Sequence, residues 1–391
     1  MNKMPDAIYF KDLESCFLRI SRAHGRRFHI DDPALAIGKT DADFFTGRHA
    51  MQARHDELQV IQTGLPIVGI EEMETWPDGS VSWVSTTKMP LRDPAGRVIG
   101  TFGISRDMTA RKATERVLAE RTLQLRHKNQ QVEEELKMAR ELQLAMLPQQ
   151  FPRIPPSSRN GGLLEFFSFY FPAGSVSGDF FDVVELSDSA VGIFICDVMG
   201  HDVRAALVTA MIRSLVQDLS QTAGEPGALL SQINRALAGI FKQTGTTMFA
   251  TAFYLIADVA AGEMRFSSAA HPDALHLRRL AGAVDVLKPE SEKKGPALGL
   301  FDQATFPTCR RPLSAGDLLV LFTDGLVEAE NEAHELYSIE RLAEAVRAGS
   351  QRPARDLLQH ALSEVRRFSG RPDFNDDVSL LAMEVKGLKQ S

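Results

Sequence analysis

The sequence predicts an α+β protein in which two domains are joined by one long helix. Three observations carry that reading. The chain has 391 residues, too many for a single ordinary core. Residues 110–147 contain no glycine or proline and separate two blocks of mixed strand-like and helix-like pattern. Only the second block carries four short aspartate segments set beside apolar, strand-like runs. The predicted domains are residues 1–109, a helical linker at 110–150, and a larger domain at 151–388.

Composition narrows the class. With 44% hydrophobic and 24% charged residues, the chain reads as a soluble globular protein. A net charge of −7 does not favour nucleic acid as the main partner. No apolar run approaches the roughly 20 residues that span a bilayer, so no membrane partner is expected. The start, Met1-Asn2-Lys3-Met4-Pro5-Asp6, lacks the apolar core of a signal peptide. Cys16, Cys196 and Cys309 are odd in number and lack metal-ligand spacing, which suits a reducing cytoplasm.

The first block ends in three strands. Glu71-Glu72-Met73-Glu74-Thr75-Trp76 and Val81-Ser82-Trp83-Val84-Ser85-Thr86-Thr87 flank Pro77-Asp78-Gly79-Ser80. That is a hairpin signal, with Asp-Gly supplying the positive φ angles of a tight turn. A second turn, Asp93-Pro94-Ala95-Gly96-Arg97, leads into a strand at residues 98–105. The earlier segments read as short helices and loops. Met4-Pro5-Asp6-Ala7-Ile8, Gly38-Lys39-Thr40 and an exit ending in Asp107-Met108-Thr109 give this block its resemblance to a PAS domain. The resemblance implies a sensor of ligand, redox state or light, or a dimerisation module, and the residues leave the PAS ligand unspecified. Cys16 does not sit in a flavin-adduct motif. His24, His29, His49 and His55 are isolated, which suits surface or hydrogen-bonded histidines better than haem ligands.

The middle block is rich in helix formers and is ended by Pro148. Leu118, Leu125, Val132, Ala139 and Met146 fall seven apart. The companion positions Glu115, Thr122, Asn129, Leu136 and Gln143 are mostly polar. One apolar and one polar seam predict a marginal coiled coil, poised to shift register within a homodimer. A single amphipathic helix packed on a neighbouring domain is the alternative.

The third block alternates strands with helices. Residues 191–196, 249–256 and 318–322 read as buried strands, and residues 203–219, 339–348 and 353–368 as helices. The acid segments are Ser177-Gly178-Asp179-Phe180-Phe181-Asp182, Cys196-Asp197-Val198-Met199-Gly200, Phe322-Thr323-Asp324-Gly325 and Asn375-Asp376-Asp377-Val378-Ser379. Carboxylates at strand ends are poor core residues but good ligands for hard cations such as Mg²⁺ and Mn²⁺. Acids converging on one sheet edge would hold two such ions, a recurring device for phosphoryl hydrolysis.

The order and context of these segments resemble the SpoIIE/RsbU-type branch of the metal-dependent protein phosphatase 2C family. Matching pieces are residues 172–182, Asp197-Val198-Met199-Gly200-His201, Ala205-Ala206-Leu207, Met248-Phe249-Ala250-Thr251, Ala270-His271-Pro272, Leu298-Gly299-Leu300, residues 317–328 and Asp376-Asp377-Val378-Ser379-Leu380. The lead-in at residues 135–148 is similar as well. The resemblance implies an α-β-β-α sandwich with Mn²⁺ or Mg²⁺, two ions or three, at one edge between the sheets. It implies Asp179, Asp197, Asp324 and Asp376 as the catalytic metal carboxylates, Asp197 as the bridge, and the Val198 carbonyl as a further ligand. Asp182 and Asp377 read as neighbours, Asp182 with access through water. A metal-activated water would attack phosphorus in line, without a covalent intermediate. The general acid is unassigned, and His201 lies nearest in sequence. Asp202 stands where the branch often has glycine and reads as a helix cap. Asp273 also departs from the pattern and receives no role.

Three other classes fit the sequence less well. Ser-Gly-Asp-Phe-Phe is similar to the Gly-Gly-Asp-Glu-Phe turn of diguanylate cyclases, but its glutamate is missing. His127 lies on a linker helix, as in histidine kinases, but no proline follows it within a phospho-acceptor motif and no glycine-rich ATP lid follows. A pseudo-phosphatase scaffold would not need all four acids. The expectation is a cytoplasmic, signal-regulated serine/threonine phosphatase. Its implied substrate is a phosphorylated STAS-type anti-sigma-factor antagonist.

Overall fold

In the computed structural model the hairpin signal becomes two long antiparallel strands, β3 (Ile67–Thr75) and β4 (Val81–Arg92). The structure describes residues 5–156, 162–245, 247–289 and 295–389. Residues 1–4, read above for a leader and for the start of the PAS-like motif, lie outside the described residues. Clustering of contacts divides the chain into Met1–Gln130 and Gln131–Ser391.

The first unit is a five-stranded antiparallel sheet. It adds β1 (Ala7–Lys11), β2 (Phe17–Ile20) and β5 (Val98–Asp107) in the order β2-β1-β5-β4-β3. Helices α1 (Arg22–Arg27) and α2 (Gly47–Thr63) connect β2 to β3. The sequence pattern had suggested only short helices and loops before residue 71. β1 and β2 are too short to display an alternating period. The buried face of α2 includes Asp56 and Glu57, which disguise it as a polar helix. Their charges are met by two buried lysines: Lys11 pairs with Asp41 and Glu57, and Lys88 with Asp56 at 2.7 Å and Glu72 at 3.3 Å. An aromatic cluster of Tyr9, Phe17, Phe28 and Phe45 fills the rest.

The exit motif has a local purpose. The Met108 N–H donates to the Trp83 carbonyl, and the Trp83 N–H donates to Thr109 Oγ1 at 2.9 Å. Asp107 Oδ1 accepts from the Thr109 N–H at 2.8 Å. Together these bonds tie the end of β5 to β4 where the long helix α3 (Thr109–Met146) begins. Leu118, Leu125 and Val132 of α3 are 66%, 62% and 46% exposed in the single chain. Gln143, assigned to the polar seam by its spacing, is instead buried within this chain.

The second unit has two five-stranded sheets. One runs β13-β10-β9-β8-β7 and the other β12-β11-β14-β15-β6. Their strands are β6 (Leu164–Phe171), β7 (Asp179–Ser187), β8 (Ala190–Val198), β9 (Ala250–Asp258), β10 (Glu263–Ala269), β11 (Leu275–Arg278), β12 (Ala283–Val286), β13 (Cys309–Pro312), β14 (Leu318–Phe322) and β15 (Val378–Val385). One apolar cluster takes side chains from both sheets, including Ile193, Ile195, Leu255, Leu321 and Leu381. A second joins the first sheet to α4 (Val203–Ser220) and α5 (Pro226–Thr244). A third joins the second sheet to α7 (Ile339–Ala348) and α8 (Ala354–Ser369), which follow the one-turn α6 (Asp324–Val327). Burial on both faces explains why β8 and β14 read as continuous apolar runs. Among the described residues no helix is long and apolar enough to cross a membrane.

Candidate metal centre

Strand pairing brings the first two acids together. Asp179 opens β7, and its register partner on β8 is Asp197. Successive side chains on a strand point to opposite faces. Asp179 therefore shares a face with Phe181 and Val183, which lie in the cluster shared by the two sheets. Asp182 takes the other face, where Gln217 of α4 donates to it at 3.4 Å. Asp182 thus belongs to the helix packing and stands apart from the other acids.

Two glycines permit the close approaches that complete the group. A Cβ on Gly178 would sit 2.3 Å from the Val198 carbonyl oxygen and 3.0 Å from Asp197 Oδ1. Any side chain there would displace both predicted donors. A Cβ on Gly325 would sit 2.2 Å from the Asp377 carbonyl oxygen and 3.3 Å from Asp376 Cβ. The Asp324 segment is therefore packed directly on the Asp376 segment.

Polar side chains that sequence reasoning passed over bind these pieces together. Thr323 Oγ1 donates to Asp179 Oδ2 at 2.6 Å and accepts from the Ser379 N–H at 2.9 Å. One hydroxyl so links β7, β14 and β15. Asp377 accepts from the N–H groups of Ala173 and Gly178, at 2.8 and 2.9 Å, and pins the loop before β7. Ser177 Oγ accepts from the Asp179 N–H at 3.0 Å. Gln143, in the last turns of α3, accepts from the Ser177 N–H at 2.9 Å and donates to its carbonyl at 2.6 Å and to Thr209 Oγ1 at 3.3 Å. Across the sheet, Thr251 is the register partner of Asp197, and its hydroxyl shares a 2.8 Å hydrogen bond with His271 Nδ1. The signals for these roles were faint: a Ser two residues before Asp179, and a Thr just before Asp324.

The charges are not balanced locally. Burial raises the Asp179 carboxyl well above the usual range, and Asp197 raises it further. Asp197 itself is pushed up to about 7, first by burial and then by Asp324, Asp376, Asp377 and Glu328. Burial and Asp376 raise Asp324, and burial with Asp324 and Asp376 raises Glu328. Glu328 was not singled out from the sequence. Raised carboxyls of this kind mark a site short of positive charge.

The other expectations resolve individually. Asp202 caps α4, accepting from the N–H groups of Arg204 and Ala205 at 2.9 and 3.1 Å. Its φ of −103° is ordinary, so no glycine-like geometry is asked of it. His201 lies on the exposed loop beside Gly174. Asp273 is buried.

Among the described residues no three acidic, histidine or cysteine side chains form a ready-made metal cage. The donor set nevertheless fits hard divalent cations: it is all oxygen, crowded and negatively charged.

A family model described as stage II sporulation protein E (SpoIIE) matches residues 187–386, and a PAS fold model matches residues 1–113. Phosphoserine phosphatase RsbU of Bacillus subtilis (strain 168) is 25% identical over 264 residues, covering 67% of this chain and 73% of that protein. Phosphoserine phosphatase RsbP of the same organism is 25% identical over 220 residues, covering 56% of this chain and 52% of RsbP. Protein IcfG of Synechocystis sp. (strain ATCC 27184 / PCC 6803 / Kazusa) is 24% identical over 275 residues, covering 64% of this chain and 41% of IcfG. The chain thus spans about half the length or less of two of these relatives. Among solved structures, the SiaA-PP2C domain of Pseudomonas aeruginosa shares the fold, with a TM-score of 0.55 and 22% identity over 66% of this chain and 98% of that one. The RsbU and RsbW domains of Rv1364c from Mycobacterium tuberculosis give a TM-score of 0.50 and 25% identity over 58% of this chain and 61% of that one.

Proposed function

We propose that this chain, which belongs to the SpoIIE family and carries an N-terminal PAS domain, is a signal-regulated phosphatase acting on phosphoserine or phosphothreonine in a protein. The observation that carries this reading is the convergence of Asp179, Asp197, Asp324 and Asp376 without a basic partner among the described residues. These carboxylates and the Val198 carbonyl would hold two Mn²⁺ or Mg²⁺ ions, or three, with Asp197 shared. Bound there, such ions lower the pKa of a coordinated water and neutralise phosphate charge during hydrolysis. The chain's own part is positioning. Thr323 fixes one oxygen of Asp179. Asp377, Ser177 and Gln143 hold the loop that carries Gly178 against the Val198 carbonyl. Pre-set donors of this kind cost little reorganisation during reaction.

The helix–sheet–sheet–helix layers suit the α-β-β-α sandwich of the phosphatase 2C type. Two relatives named phosphoserine phosphatases support the reaction. The RsbU and RsbW domains joined in one solved chain support a partner-switching substrate, for which a STAS-type antagonist is our choice. The exposed Leu118, Leu125 and Val132 support α3 as the homodimer element through which the PAS domain regulates a cytoplasmic enzyme. The reading is tested by Mn²⁺-dependent phosphate release from a phosphoserine-bearing STAS protein, comparing the full chain with Asp197→Ala. The variant should lose release by at least about a hundredfold; equal rates would sink the assignment.

A further inference from the structure

Next to the acids lies a cleft of about 470 Å³ whose chemistry is opposite to theirs. Its walls come from the end of α3 (Arg140), the end of β6 (Tyr170, Phe171) with the loop residue Ala173, and the region of α8 (Arg366, Phe374). Ala173 joins it to the centre, since its N–H donates to Asp377, the residue after Asp376. The cleft is therefore one residue and one hydrogen bond away from the Asp376 segment, within reach of residues that flank a phosphoryl group held at the acids.

Arg366 is held in an unusual state. Its guanidinium carbon lies 5.0 Å from the Phe171 ring and 5.2 Å from the Phe374 ring, and the rings are 5.6 Å apart. Ring faces stabilise the cation but leave its in-plane N–H groups free to donate. The Arg366 Nε is buried and has no hydrogen-bond partner among the described residues. Among the described residues no carboxylate forms a salt bridge with Arg366 or with the exposed Arg140. Asp373 also lines the cleft without pairing to either. Two cations against one acid leave the cleft net positive in a chain whose overall charge is −7.

A planar, pre-oriented guanidinium with idle donors suits a carboxylate. Holding it against two rings in advance also reduces the ordering cost of binding. We infer that this cleft is a specificity subsite, taking an acidic side chain that flanks the phosphorylated residue of the substrate protein. The inference rests on the phosphatase reading and adds a sequence preference to it.

The test uses two phosphoserine peptides, one with glutamates on both sides of the phosphoserine and one with alanines. With the full chain and Mn²⁺, kcat/KM should be roughly tenfold higher for the acidic peptide, chiefly through KM. Arg366→Ala should bring the ratio toward one, and Arg366→Lys should recover part of it. Arg140→Ala lies on an exposed helix face and tests the same ratio without disturbing the packing of the rings. Equal kcat/KM in the unaltered chain, or a ratio unmoved by either alanine variant, overturns the subsite while leaving the phosphatase reading intact. Hydrolysis of neither peptide overturns the phosphatase reading instead. Fluorescence anisotropy then decides the subsite: tighter binding of the acidic peptide that Arg366→Ala erases upholds it, and equal binding of both peptides overturns it.

Discussion

Lys11 and Lys88 in the first unit are each enclosed by carboxylates, whereas in the second burial raises Asp179, Asp197 and Asp324 and neighbouring carboxylates raise each of them further. Both groups lie largely out of water, and both are costly to bury. The first unit meets the cost inside the fold. Lys88, 2% exposed, faces Asp56 and Glu72, so its charge is complete without a visitor. The second unit brings its carboxylates together without a salt-bridged cation among the described residues, which is the charge pattern expected of the metal site proposed above.

The largest expected effect comes from converting the first kind of site into the second. Lys88→Met removes the cation and leaves Asp56 and Glu72 uncompensated. Breaking a buried pair in this way costs about 3–5 kcal/mol. Both tryptophans, Trp76 and Trp83, lie in the first unit, so tryptophan fluorescence in urea reads its stability separately. A loss below about 1 kcal/mol would mean that the carboxylates find other compensation. In the second unit, Thr323→Val removes the donor to Asp179 and leaves the Ser379 N–H unpaired, without changing charge. The expected loss is about 2 kcal/mol, read by calorimetry of the second unit. A neutral result would remove Thr323 from the set of positioning residues.

The smallest effect near neutral pH belongs to His24, a buried imidazole whose ring nitrogens have no hydrogen-bond partner among the described residues. Burial, then Lys11 and Arg27, push its pKa down to about 3. Its value in the unfolded chain is about 6.5, so the unfolded state takes up the proton first. The stability this group contributes is therefore complete above pH ~6.5 and falls as pH drops toward 3, by up to about 1.4 kcal/mol per pH unit. His24→Phe should flatten the fluorescence-detected stability profile between about pH 6.5 and 4.5. An unchanged slope would show that His24 protonates within the fold.

How much of this was legible in the sequence depends on how local each signal is. β8 and β14 announce themselves as apolar runs, and α7 follows its own periodicity. Gly178-Asp179 and Asp324-Gly325 are visible because the glycine needed for close approach stands beside the acid it serves. Thr323 and Asp179 are 144 positions apart, and no local pattern ties that hydroxyl to that carboxylate. Gln143 follows a heptad spacing that points to a helix partner, yet tertiary contact assigns it to Ser177 and Thr209. In α2, Asp56 and Glu57 read as solvent-facing because the lysines that let them be buried lie far away in sequence.

The acids of the second unit, on the function proposed here, are the ligands of hard cations. Calorimetric titration of the full chain with Mn²⁺, beside Asp197→Asn and Asp324→Asn, tests it most directly. We expect at least about two ions per chain, a rise in the unfolding temperature of the second unit, and loss of both effects in each variant. A chain that binds no Mn²⁺, or variants that bind it as the unaltered chain does, would contradict the account.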